Sequence, residues 1–153
     1  MKTAGITLLL LAALAGPATA ADLRLHALLD GASVVSATES KGTGEATAIL
    51  TDDNKVRLNL VFGGLASGVT GAAIQLGSSS ENGAVAAPLD VRKNVTSGSL
   101  LNVQLTLTPD AAASMRDGNT YLLVTTVDHP EGAIRGQLLP QPVRLRPAAP
   151  TTP

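Results

Sequence analysis

Few side chains in this sequence are equipped for chemistry. Its 153 residues contain two histidines, one tyrosine, one phenylalanine, no tryptophan and no cysteine. The densest group of potential ligands is Asp128, His129 and Glu131, three ligand types within four residues, which makes them the one candidate metal site. The same stretch, with Pro130 and Gly132, has the composition of a polar turn in solvent, and that reading is preferred. No metal and no other cofactor is therefore expected. His26 lies two residues after Arg24, on the strand face opposite Leu25. A Ser-His-Asp hydrolase is not indicated, because no G-x-S-x-G turn accompanies the serines. The missing cysteines exclude a disulfide scaffold, a thiol nucleophile, a cysteine zinc site and an iron–sulfur cluster.

The overall balance narrows the classes further. The formal charge is −1, with 15% charged and 44% hydrophobic residues. This composition is not that of a disordered chain. It lacks the basic excess of a nucleic-acid binder. With almost no aromatic residues, neither base stacking nor an aromatic-lined sugar groove is expected.

Residues 1–20 read as a secretory signal. Lys2 provides the positive start, Ile6–Leu14 is a short apolar run, and Ala18-Thr19-Ala20 fits a small-x-small cleavage site. That run is shorter than the roughly 20 apolar residues a membrane-spanning helix needs. The protein is therefore expected to be exported, to the periplasm or beyond the cell, without a membrane span. After Leu139 the chain is Pro-rich, and residues 140–153 read as a disordered or extended tail.

The intervening chain alternates like strands. Val56-Leu58-Leu60-Phe62 is apolar at every second position, with Arg57 and Asn59 between. Ala46-Ala48-Leu50 precedes it, joined through the turn-forming Asp52-Asp53-Asn54. Leu101-Val103-Leu105-Leu107 repeats the pattern, which predicts four inward side chains. Further strands are expected over 23–29, 71–76, 84–89, 120–127 and 133–139. One short helix is predicted over 109–116, with Thr108 as cap, Pro109 in the first position and Gly118 as the stop. Short strands at regular spacing, with one helix, predict an all-β fold. The expected form is an antiparallel β-sandwich or Greek-key barrel of about 7–8 strands.

Three stretches then stand in a distinctive order. Leu65–Gly77 is followed by Asn82-Gly83-Ala84-Val85. Leu107-Thr108-Pro109 leads to Gly118-Asn119-Thr120-Tyr121. The chain closes on Pro130-Glu131-Gly132-Ala133-Ile134-Arg135-Gly136-Gln137-Leu138. Together they resemble the CHRD domain, the module named after chordin, over residues 22–139. Gly118, Tyr121, Gly132, Ile134, Arg135 and Gly136 belong to the matched motif, and a structural role is expected for them. Arg135 is expected to pair with a carboxylate or with exposed carbonyls on a neighbouring strand. Gly132 and Gly136 are assigned to a turn and a close backbone approach. Ser78–Gly83 reads as a flexible loop.

The departures from the family pattern are informative. Where the resemblance implies histidines, this chain has Ala73, Gln75 and Thr125. With Ile74 and Val124 inward, those three positions face outward. Two histidines at i and i+2 with a third on another strand would suit a metal or a proton relay, an arrangement similar to the copper strand of Cu,Zn superoxide dismutases. Ala73, Gln75 and Thr125 cannot perform that role. Leu123 and Ala133 also replace polar family residues, so Ala73, Gln75, Leu123, Thr125 and Ala133 are expected to form an exposed, unusually apolar contact patch. The resulting expectation is an exported, non-catalytic binding or structural domain with an unknown protein or cell-surface partner. The rival is a copper- or zinc-binding, superoxide dismutase-like β protein using other ligands.

Overall fold

The computed structural model describes residues 21–141. The expected signal segment and nearly all of the expected tail lie outside them. Nine strands and one helix are formed: β1 (Leu23–Asp30), β2 (Thr43–Leu50), β3 (Lys55–Gly63), β4 (Val69–Leu76), β5 (Val85–Leu89), β6 (Gly98–Thr106), α1 (Pro109–Arg116), β7 (Thr120–Thr126), β8 (Ile134–Gln137) and β9 (Leu139–Pro140). All pairings are antiparallel, in the order β5-β4-β7-β8-β1-β2-β3-β6, with β9 pairing β1 off that path. The sheet curls into a nearly closed barrel, as the alternating pattern predicts. No helix among the described residues is long and apolar enough to cross a membrane.

The period-2 pattern sets the inside. In β3, Val56, Leu58, Leu60 and Phe62 are buried while Lys55, Arg57, Asn59 and Val61 are exposed. Ala46, Ala48 and Leu50 of β2 face the same core, as do Leu25, Ala27 and Leu29 of β1. Burying each large aliphatic side chain contributes about 1.5–3 kcal/mol, so aliphatic residues can supply the core with little aromatic help. Asn54 closes the β2–β3 hairpin at φ +62°, a conformation asparagine tolerates. Helix α1 has the predicted bounds. Thr108 caps it by accepting from the Ala111 amide, and Ala111, Ala112 and Met115 face the core. Pro88 sits in β5, an edge strand, where a missing N–H is tolerated.

The β6 expectation is corrected at one residue. Leu101 is 69% exposed instead of buried, and Leu100 occupies the inward side. Leu58 and Leu60 of β3 face Val103 and Leu100 of β6, so β6 carries one extra residue between them. Asn102 absorbs this bulge at φ +56°, and its amide donates to Asn59 Oδ1 at 2.7 Å. A strict alternation in sequence cannot reveal which of two adjacent leucines, Leu100 or Leu101, points inward.

The last predicted strand divides in two. β8 pairs chiefly with β7, and β9 then pairs with β1 through Leu25↔Pro140 and His26↔Leu139. The Gln141 amide donates to the Arg24 carbonyl at 2.8 Å. Pro140 and Gln141 thus belong to the fold and not to the tail expected from 140 onward.

Candidate functional site

The outer face of β4, β7 and β8 carries the closing motif. Register places Gln75, Tyr121 and Gln137 in one row, and Ala73, Leu123 and Arg135 in the next. Two long connections, Gly31–Gly42 and Gly77–Ala84, fold over this face. Their attachment determines what the site can do.

Arg135 fastens the second connection. Its Nη2 donates to the carbonyls of Ser78 at 2.5 Å and Glu81 at 2.9 Å, and its Nη1 to Asn82 Oδ1 at 3.3 Å. Only 1% of its surface is exposed, and no carboxylate forms an ion pair with it among the described residues. Burial lowers the guanidinium pKa from its ordinary value, while the Tyr121 ring beneath it opposes that shift. Arginine nonetheless stays charged, and its planar fork reaches several carbonyls at once, which a lysine ammonium does not. Carbonyls are thus the partners, as one branch of the expectation had it, but they belong to a loop and not to a strand.

Tyr121 and Gln137 complete the attachment. The Tyr121 hydroxyl donates to Gln75 Oε1 at 2.6 Å and accepts from the Gly83 amide at 3.0 Å. Gln137 Nε2 donates to the carbonyls of Gly77 and Gly118, at 2.8 and 2.9 Å. Ser78–Gly83, expected to be a flexible loop, is therefore pinned to the sheet by Arg135 and Tyr121, and Gln137 holds Gly77 at its start. Asn82 and Gln137 were not singled out from the sequence, although both lie inside the matched stretches. A polar residue there reads the same whether it faces water or a neighbouring loop.

The motif glycines serve backbone geometry. Gly132 has φ +142°, and a Cβ there would stand 2.7 Å from Leu123 Cδ1. A Cβ on Gly136 would collide with the Leu28 carbonyl, so this glycine lets β8 pass close to β1. Ile134 is fully buried, and Gly118 follows α1 at φ +75°.

The expected apolar contact patch is not exposed. Ala73, Gln75 and Thr125 do face outward and are half-buried, but Leu123 is 6% and Ala133 0% exposed. Val34 of the first connection packs beside Leu123 over Gly132, and Thr38 Oγ1 donates to the Ala133 carbonyl at 3.2 Å. The protein covers this apolar surface with its own loop, which the local strand pattern could not disclose. Gln75 is engaged by Tyr121, and Thr125 Oγ1 donates to the Gly71 carbonyl at 3.2 Å. Ala73 and Thr125 lie on adjacent outward pairs, Ala73↔Leu123 and Gly71↔Thr125. The positions where relatives are expected to carry histidines thus do come together on one face, but here they hold no ligand for copper or zinc.

The remaining candidates are dispersed. No group of three His, Cys, Asp or Glu side chains converges on a metal position among the described residues, so Asp128, His129 and Glu131 do not assemble. They occupy the turn before β8, where the His129 amide donates to Thr126 Oγ1 at 3.2 Å and the Asp128 amide to Ser67 Oγ at 3.2 Å. His26 faces outward, as expected, 2.8 Å from Glu45 Oε1. The turn does border an open cleft of about 300 Å³. Val34 and Thr38 line one side of it, Asn82 another, and His129, Glu131 and Gly132 the third. This cleft of mixed polar and apolar lining is built by the two connections together with the β7–β8 turn.

An antiparallel, nearly closed β-barrel with a buried arginine clamp defines the structural class. The sequence places it further: residues 25–138 match the model of the CHRD domain, and the chain belongs to that family. No curated protein and no solved structure shows a significant match.

Proposed function

We propose that this protein is an exported, non-catalytic binding module whose contact surface is the cleft between the Gly31–Gly42 connection, Asn82 and the 128–132 turn. The observation that carries this reading is the use of the motif's polar side chains. Arg135, Tyr121 and Gln137 are directed at the protein's own Gly77–Ala84 connection, where they hold a surface in shape. Export is supported by the charged start, apolar run and Ala18-Thr19-Ala20 of the first twenty residues. The cleft combines apolar surface, to which Val34 contributes, with polar groups such as Thr38, Asn82 and His129, a mixture suited to a polar peptide or a cell-surface saccharide. A soluble protein or cell-envelope component is the partner class, and no cofactor is required.

Isotope-labelled mature protein titrated with fractionated cell-envelope extract tests this reading. Chemical-shift changes clustered at Thr38, Asn82, His129 and Glu131, and lost in a His129→Ala, Glu131→Ala double variant, are expected. Shifts centred elsewhere, or chemical turnover of the bound component, would overturn it.

A further inference from the structure

We propose that Asn82 is a self-modification site, converting spontaneously in the folded protein to an acidic residue that supplies the buried Arg135 with its counter-ion. Three observations meet at this residue. Asn82-Gly83 is the only Asn-Gly pair in the sequence, and asparagine followed by glycine is the pair most prone to cyclise, since glycine has no side chain to obstruct the attacking nitrogen. Asn82 is exposed to water, so the reaction's other participant has access. Above all, Nη1 of Arg135 donates to Asn82 Oδ1, and this guanidinium is buried without any carboxylate partner among the described residues.

The chemistry balances with water as the only co-reactant. The Gly83 backbone nitrogen forms a bond to Asn82 Cγ and gives up its proton to solvent. The side-chain nitrogen takes a proton from solvent and leaves Cγ as ammonia, closing a five-membered succinimide. Water then opens the ring, giving aspartate when the new bond to Cγ breaks and isoaspartate when the original peptide bond breaks. While the nitrogen attacks, negative charge develops on Oδ1, the atom already facing Arg135, and a fixed donor at such a position stabilises that charge. The Gly83 N–H donates to the Tyr121 hydroxyl, and this hydrogen bond opens when the nitrogen gives up its proton.

The product suits its surroundings better than the starting amide does. A carboxylate opposite a guanidinium makes a charge-assisted hydrogen bond, about twice as strong as one to a neutral acceptor. The carboxylates of Glu81, Asp128 and Glu131 are nearby or across the cleft, and all three are exposed to solvent, which weakens their repulsion. The conversion would also add negative charge at the rim of the cleft.

The test follows the mature protein by mass spectrometry at neutral pH, beside the same chain unfolded in urea. A gain of one mass unit on the peptide containing Asn82 is expected, at least as fast in the folded as in the unfolded chain, and absent in Asn82→Ser. Asn82→Asp is expected to melt a few degrees above the unconverted protein at neutral pH. If the folded protein keeps its amide while the unfolded chain loses it, the proposal is overturned. The same holds if the mass gain persists in Asn82→Ser, or if Asn82→Asp folds less stably or not at all.

Discussion

The guanidinium carbon of Arg135 stands 3.6 Å above the centre of the Tyr121 ring. The two residues face each other across neighbouring strands, one row apart, and both reach the same loop. The ring supplies an attractive, polarisable face to a charge that has left water, and the loop carbonyls satisfy its N–H groups.

Removing the charge while keeping the bulk should therefore release the loop. Arg135→Met is expected to lower the unfolding free energy by about 3 kcal/mol or more, since hydrogen bonds to a charged group contribute about 1.5–3 kcal/mol each and leave buried carbonyls unpaired when lost. Urea unfolding measures the loss. Hydrogen exchange should show protection falling at Glu81 and Gly83 before the barrel strands are affected.

Tyr121→Phe probes the other attachment. The ring remains under Arg135, but the Gly83 amide and Gln75 Oε1 lose their common partner. A cost of about 1–3 kcal/mol is expected. A selective rise in the exchange rate of the Gly83 amide would confirm its origin.

Gly132→Ala should be destabilising for two separable reasons, a φ of +142° and a Cβ 2.7 Å from Leu123 Cδ1. Backbone strain of this kind costs about 1–3 kcal/mol. Adding Leu123→Ala removes the collision and leaves the strain. The double variant is thus expected to be more stable than the sum of the single changes implies, a coupling that a double-mutant cycle reads directly.

The β6 bulge turns Leu101 outward, so it and the buried Leu58 of β3 predict opposite outcomes. Leu101→Ser is expected to change stability by no more than about 0.5 kcal/mol, as at other exposed sites. Leu58→Ala should cost about 2–5 kcal/mol, because it opens a cavity in the core. A cost at Leu101 as large as that at Leu58 would mean that Leu101 points into the core.

At the β2–β3 hairpin the hydrogen bond from Lys55, followed by that from Thr51, lowers the Asp53 pKa to about 2. A depressed carboxylate contributes stability above its unfolded pKa near 3.8 and loses that contribution as the pH falls through about 2. The Lys55 pKa is raised by the same contact, so its contribution is full below its unfolded value and disappears only as the pH rises through the elevated one. Nuclear magnetic resonance titration should find Asp53 returning toward an ordinary carboxylate pKa in Lys55→Met.

Much of this barrel is legible in the sequence because its strands are half-buried and alternate. Val56 to Phe62, the Asp52-Asp53-Asn54 turn and the Thr108-capped helix all follow from local chemistry. The outer face of β4, β7 and β8 is not legible in that way. Its residues alternate as a solvent-facing row would, yet Leu123 and Arg135 are buried by connections more than forty residues distant in the chain. Arg135 and Tyr121 stand out in the closing motif, but only the fold shows that both reach the Ser78–Gly83 segment, whereas Gly132 lies against Leu123 and Val34.

The hydrogen bond from the Gln141 amide to the Arg24 carbonyl brings the two ends of the described chain side by side. Both connections to whatever precedes and follows therefore leave from one point on the barrel. A module with adjacent ends can be spliced into the surface loop of a host protein, or cut and rejoined elsewhere, without separating its strands. In this barrel the short β9 strand works as a clasp, and a circularly permuted version opened in the exposed Asp52-Asp53 turn should retain the same sheet.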